Sequence, residues 1–191
     1  MSSSQPGLDT RAYRLVWPVG TTIYELDQPQ VLTYKQDILG RAEATPACAR
    51  VPVAADLRDN WPAIMLGAGL RPDRPTVWLA EGRLFHLPEA GARTLLTTMA
   101  SVSAPGSVLG TDSMAATILA SKERRDWVSL YANSGAPFIF GTDDPEGFVS
   151  SCGWRPIVHL GRDLGAYYGR PFSEPQQFGP TPGAIITATL A

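Results

Sequence analysis

Two kinds of hydrophobic spacing alternate along the chain. Short runs rich in β-branched and aromatic residues read as strands: Thr21 to Leu26, Thr76 to Ala80, Ser107 to Thr111, Pro156 to Leu160 and Ala184 to Leu190. The stretch from Ala49 to Ala55, with Val51 and Val53 between, alternates strictly and makes a sixth. Between them apolar residues recur every three or four positions: Val31, Tyr34 and Ile38 within Gln30 to Leu39, and Ala92, Leu95, Leu96 and Met99 within Pro88 to Val102. Those two segments read as amphipathic helices. Asn60 before Trp61-Pro62, and Asp143 or Asp144 before Pro145-Glu146, mark two more helix starts, because a side-chain acceptor followed by proline deals with the orphan amide donors of the first turn. Met114 to Tyr131, with Ile118, Trp127, Val128 and Tyr131, reads as a longer amphipathic helix after the strand ending at Thr111. It places a helical insertion around 113–135, able to roof a pocket.

Strands alternating with helices imply an α/β fold: a mostly parallel sheet with helices on both faces and ligands at the carboxyl ends of the strands. No internal repeat or linker interrupts the pattern, and 191 residues suit a single domain over 1–191. A hydrophobic share of 44% with 18% charged residues argues against disordered, fibrous and membrane classes. The formal charge of -2 provides no basic field for nucleic acid or an anionic membrane. Lys122, Arg124 and Arg125, interleaved with Glu123 and Asp126, read as a solvated helix face. Cys48 and Cys152 are too few for a disulfide framework and form no CxxC pair, which points to a reduced, cytoplasmic setting and to no metal site. Neither a signal peptide nor an apolar run of about 18 residues supports export or membrane insertion.

Candidate chemistry concentrates in four strand-to-helix turns: Gly7-Leu8-Asp9-Thr10-Arg11, Glu25-Leu26-Asp27-Gln28-Pro29, Asp56-Leu57-Arg58 and Ala80-Glu81-Gly82. A nucleoside cofactor requires a turn whose backbone can be approached closely and, about 20 residues on, an acid that accepts both ribose hydroxyls. Gly7 and Asp27 have that spacing, although glycine turns followed by acids are common. A carboxylate at Asp56 can accept from an adenine amino group while the Leu57 amide donates to the ring, and Glu81 can face a cationic group. Each acid alone reads equally well as a solvated helix cap. Four such turns in register carry more weight than any one of them.

The runs GLDTRAYRL, TTIYELDQP, VAADLRDNWP, PTVWLAEG and the closing ITATL resemble a large bacterial family of S-adenosylmethionine-dependent methyltransferases related to leucine carboxyl methyltransferases. The resemblance covers essentially the whole chain in the family's order. It implies a Rossmann-like class I methyltransferase sheet, S-adenosyl-L-methionine as cofactor, and a small-molecule or carboxylate-bearing substrate methylated on oxygen. By resemblance, Gly7 belongs to the cofactor turn, Asp27 holds the ribose, Asp56 and Leu57 hold the adenine, and Glu81 lines the same pocket. The sequence departs from the family in having Arg83-Leu84-Phe85-His86 after the AEG run, where apolar residues and a tyrosine are usual.

The family also places an apolar central strand, and helices before it, ahead of the glycine turn. The chain is therefore expected to lack the first strand and the N-terminal helices. The polar stretch Ser2 to Gln5 is not expected to replace that strand, and Pro6 has no amide hydrogen for a ladder. Each buried backbone group left unsatisfied costs about 1 to 3 kcal/mol against a domain stability of about 5 to 15 kcal/mol, so poor folding is expected. A noncatalytic truncated remnant, inactive or serving as an interaction module, is the alternative reading. A nicotinamide oxidoreductase fits less well, because no GxGxxG opens the first helix. His86 and His159 are read as structural, and Trp17, Trp61, Trp78, Trp127 and Trp154 as core residues. Asp9, Arg11 and Arg14 are expected to brace the glycine turn by ion pairs. The catalytic residues, the acceptor and the oligomeric state stay open.

Overall fold

The structure, a computed structural model, describes residues 2–4, 7–171 and 183–191. It divides into two compact units, Met1–Leu79 with Val102–Ser107, and Ala80–Ser101 with Val108–Ala191.

In the first unit, β1 (Ser2–Ser4), α1 (Arg11–Arg14), β2 (Thr22–Asp27), α2 (Pro29–Arg41), β3 (Ala49–Ala54), α3 (Trp61–Gly67) and β4 (Val77–Ala80) follow in sequence. The strands run in the order β3-β2-β1-β4, and all three pairings are parallel. The expectation of an empty central slot is corrected: Ser2, Ser3 and Ser4 pair with Tyr24, Glu25 and Leu26, and Ser2 and Ser3 with Trp78 and Leu79. A parallel ladder needs only backbone donors and acceptors, and the two flanking strands offer both, so an apolar sequence is not required. Gln5 and Pro6 lie outside the described residues.

The core of this unit is Ile23, Leu26, Leu32, Leu39, Val53, Trp61, Met65, Leu70 and Trp78, all buried. The rings of Trp61 and Trp78 meet edge to face at 6.0 Å and so seat α3 on β4. Asn60 stands at the N-cap of α3 without a side-chain cap bond, so Pro62 is the helix signal that operates there. The apolar face expected for α2 is also corrected. Tyr34 and Ile38 are exposed, and the helix buries Leu32, Lys35 and Leu39. Lys35 can be buried because its ammonium donates to Glu25 of β2 at 2.9 Å, and Arg50 of β3 pairs with the same carboxylate at 2.7 Å. Satisfied in this way, the charges tie α2, β2 and β3 together.

The second unit holds α4 (Glu89–Ser101), β5 (Val108–Met114), α5 (Ala116–Leu119), α6 (Arg125–Asn133), α7 (Pro145–Ser150), β6 (Arg155–Leu160), α8 (Gly161–Tyr167) and β7 (Gly183–Thr189). Here the order is β5-β7-β6 and both pairings are antiparallel, with Val108 opposite Thr189 and Met114 opposite Gly183. Ala184, Ile186 and Ala188 of β7 point inward at period two. Ala92, Leu95, Leu96 and Met99 of α4 are buried as their spacing predicts, and Trp154 donates its indole N–H to the Leu96 carbonyl at 3.0 Å. Asp144 caps α7 by accepting from the Gly147 amide at 2.8 Å.

The single long helix expected over Met114 to Tyr131 is replaced by shorter pieces. Met114 still belongs to β5, where its carbonyl accepts from the Thr142 amide at 2.8 Å. Ser121 is extended, which stops α5 and leads through a 3-10 turn at Lys122–Arg124 into α6. Arg124 is buried, so only Lys122 and Arg125 of the basic cluster form a solvated face. Among the described residues no helix is long and apolar enough to cross a membrane.

Candidate functional site

Parallel pairing brings the carboxyl ends of β1, β2 and β3 to one edge of the first unit, so the turns that follow them meet there. Asp27 ends β2 and is 4% exposed. Its Oδ2 accepts from the Gly7 amide at 2.9 Å and its Oδ1 from the Gln28 amide at 2.8 Å, while its carbonyl accepts from Ala55 at 3.0 Å. One residue thus ties the turns after β1, β2 and β3 together. Gly7 adopts φ +51°, a conformation that favours glycine, and a Cβ there would meet nothing within 4 Å.

Asp56 follows β3, and its carboxylate is taken up by Arg58, whose backbone N–H and Nε donate to Oδ1 at 2.9 Å and whose Nη2 donates to Oδ2 at 2.6 Å. The Arg58 side chain is 87% exposed, and a pair this open to solvent is readily exchanged for another donor. Leu57 is half-buried beside it. The bracing role expected of the first turn is seen in Asp9, which accepts from the Arg11 amide at 2.9 Å and pairs with its Nε at 2.6 Å. Arg14 is exposed.

In the second unit, Glu81 is exposed in the turn after β4. The next residue, Gly82, has φ +64° and donates its amide to Asp112 Oδ1 at 2.9 Å. Burial pushes the Asp112 carboxyl above its ordinary value; the Gly82 bond opposes this, the charge of Glu81 adds to it, and His86 opposes it. Asp112 borders a cavity of about 760 Å³ whose other walls include Phe85, Met114, Leu164, Tyr168 and Ile185. Sequence reasoning missed Asp112 by ending the strand at Thr111. The signal was present in Thr111-Asp112-Ser113, a carboxylate next to a strand end like those singled out elsewhere.

One side of this turn is held by an aromatic cluster. Phe138 stacks on Trp127 at 4.7 Å and on His86 at 5.3 Å, and also contacts Tyr131 at 4.7 Å and Phe85 at 5.3 Å. His86 Nδ1 lies 2.8 Å from the Pro137 carbonyl, which only accepts, so Nδ1 carries the hydrogen. His159 bonds Thr187 at 3.1 Å. Trp61, Trp78 and Trp154 are buried, whereas Trp17 and Trp127 are half-buried. Cys48 and Cys152 are free thiols, and the described residues contain no His, Cys, Asp and Glu cluster suited to a metal.

Residues 6–100 match the family model described as leucine carboxyl methyltransferase. Over that stretch, just under half of the chain, it is similar to the leucine carboxyl methyltransferase family. Among similar proteins, a Mycobacterium avium protein named "Putative S-adenosyl-L-methionine-dependent methyltransferase" is 42% identical over 174 residues, covering 88% of this chain and 56% of that protein. A Streptomyces avermitilis protein of the same description is 36% identical over 189 residues, covering 95% of this chain and 64% of its own length. The chain therefore spans a little over half the length of the relatives it matches. Solved structures share the fold across the whole chain: a duf574 family protein from Streptomyces avermitilis at TM-score 0.66 and 16% identity, covering 74% of that chain, and LepI in complex with SAM at 0.62 and 13%, covering 42% of it. Magnesium protoporphyrin IX methyltransferase from Synechocystis with bound SAH follows at 0.56 and 12%, covering 73% of that chain. These likenesses establish the Rossmann-like methyltransferase fold. Gly7, Asp27, Asp56, Leu57 and Glu81 all fall inside the stretch that matches the family, and Asp112 lies beyond it.

Proposed function

We propose that the chain provides the S-adenosyl-L-methionine site of a methyltransferase acting on an oxygen of a small molecule, carboxylate or hydroxyl. The reading rests on the Asp27 junction. Its carboxylate accepts one backbone N–H on each oxygen and keeps lone pairs for the cis hydroxyls of a ribose, beside a glycine turn with open space where a Cβ would stand. Asp56 and the Leu57 amide would take the adenine, with the exposed Arg58 giving way. When bound, the cofactor supplies an electrophilic methyl group. The relatives named as dependent on this cofactor, and neighbours solved with SAM or SAH, support the same reading. Two free thiols agree with a reducing, cytoplasmic location.

Calorimetric titration with S-adenosylhomocysteine tests this. Asp27→Ala is expected to weaken binding at least about tenfold, because it removes a charged acceptor of two hydrogen bonds. Arg58→Ala is expected to leave binding within about threefold of the parent, since an exposed pair contributes little. Absence of binding to the parent chain, or an Asp27→Ala variant that binds equally well, would overturn the proposal. Another neighbour of the same fold is described as a pericyclic reaction enzyme, so a methyl-transfer assay belongs beside the titration.

A further inference from the structure

We infer that the cavity beside Asp112 takes an uncharged, hydroxyl-bearing aromatic molecule as the methyl acceptor rather than a carboxylate, with Asp112 as the group that receives the hydroxyl proton. This deepens the methyltransferase reading and rests on it.

The cavity has room for a ring system: about 760 Å³, walled by Phe85, Met114, Leu164, Tyr168 and Ile185. Such walls favour an apolar, flat body. The polar group that orients the guest is an acid. Asp112 Oδ1 is held by the Gly82 amide at 2.9 Å, which fixes the carboxylate and leaves Oδ2 as the oxygen assigned to the guest. Glu81 adjoins Gly82 in sequence and its charge acts on Asp112. An anionic acceptor would therefore approach a fixed negative charge at the apolar floor of the cavity, whereas a hydroxyl meets an acceptor for its hydrogen.

Proton balance points the same way. Methylating an ionised carboxylate releases no proton and gives an acid no task. Methylating a hydroxyl breaks the O–H bond. The oxygen's electron pair forms the new O–CH3 bond, the S–CH3 pair stays on sulfur, and one proton must leave. Asp112 Oδ2 takes that proton. Burial lifts the affinity of this carboxyl for a proton, which suits the role. Arg170 also borders the cavity but is exposed, three residues past the end of α8. It is the rival anchor if the acceptor is a carboxylate after all.

A pair of probes matched in shape decides between the two. 2-Naphthol is neutral and 2-naphthoate is anionic at pH 7, and both are titrated into the full chain by calorimetry in the absence of cofactor. The neutral probe is expected to bind about tenfold tighter, and Asp112→Asn is expected to remove the difference by tightening naphthoate about tenfold, as loss of a nearby like charge should. Naphthoate binding tighter than naphthol, or naphthoate affinity that depends on Arg170 and falls in Arg170→Gln, overturns the inference. The parent chain's own preference decides the matter even if Asp112→Asn fails to fold. S-adenosylhomocysteine is titrated alongside: failure to bind it while naphthol is preferred removes the cofactor reading alone. Normal S-adenosylhomocysteine binding with a preference for naphthoate removes this inference alone.

Discussion

The two units solve one local problem twice. In each, a glycine with positive φ follows a strand and donates its amide to an aspartate at 2.9 Å: Gly7 to Asp27 in the first unit, Gly82 to Asp112 in the second. The surroundings then diverge. Asp27 accepts a second amide from Gln28 and is joined through its carbonyl to the turn after β3, so it works as a fixed acceptor. Asp112 is raised in proton affinity by burial beside an apolar cavity and by the charge of Glu81, which outweigh the Gly82 amide and its own amide. The difference teaches that the surroundings of a carboxylate, its donors, its burial and the charges near it, and not the residue type, set its proton affinity.

The largest effect expected on this comparison comes from the charges that stiffen the first unit. Glu25→Ala would leave Lys35 and Arg50 buried without their acceptor and should cost about 3 to 5 kcal/mol in urea unfolding. A double replacement, Glu25→Leu with Lys35→Met, should cost distinctly less; an equal cost would mean that packing, not charge, is at stake. In the second unit Phe138→Ala should cost about 2 kcal/mol, since it removes four ring contacts from a half-buried site. Limited proteolysis should then cut between α5 and α7 first. Cleavage that begins in the first unit would show that the cluster does not hold this segment. The smallest effect concerns Asp112. Its carboxyl is raised in the folded chain, mainly by burial, so the stability linked to it is full in acid and is lost as pH rises through the folded value. Asp112→Asn should accordingly raise the melting temperature at pH 7, with the gain shrinking to nothing as the pH falls below the ordinary carboxyl range. A loss at pH 7 would show that ionised Asp112 stabilises the fold.

The two units also differ in how far the sequence revealed them. The strands and the helix carrying Ala92, Leu95, Leu96 and Met99 were legible because one period of apolar residues faced no competitor. For α2 the face was misread. Lys35 counts as polar in any pattern, and only its Glu25 partner on another element makes its burial affordable. The insertion was misread for a related reason: the break at Ser121 and the pairing of Met114 with Gly183 depend on segments distant in the chain. The Gly7 and Asp27 pair was visible from its spacing of 20 residues, whereas Asp112 and Gly82 lie 30 apart with no motif joining them. The three-serine strand was not legible at all, because its place is set by the ladders of its neighbours.

β7 lies between β5 and β6 and comes after both of these partners in the chain. During vectorial synthesis, residues 108–114 and 155–160 emerge with no ladder between them, and each waits for the same seven residues. Neither antiparallel interface can therefore form until that last segment has been synthesised, and its arrival completes both ladders.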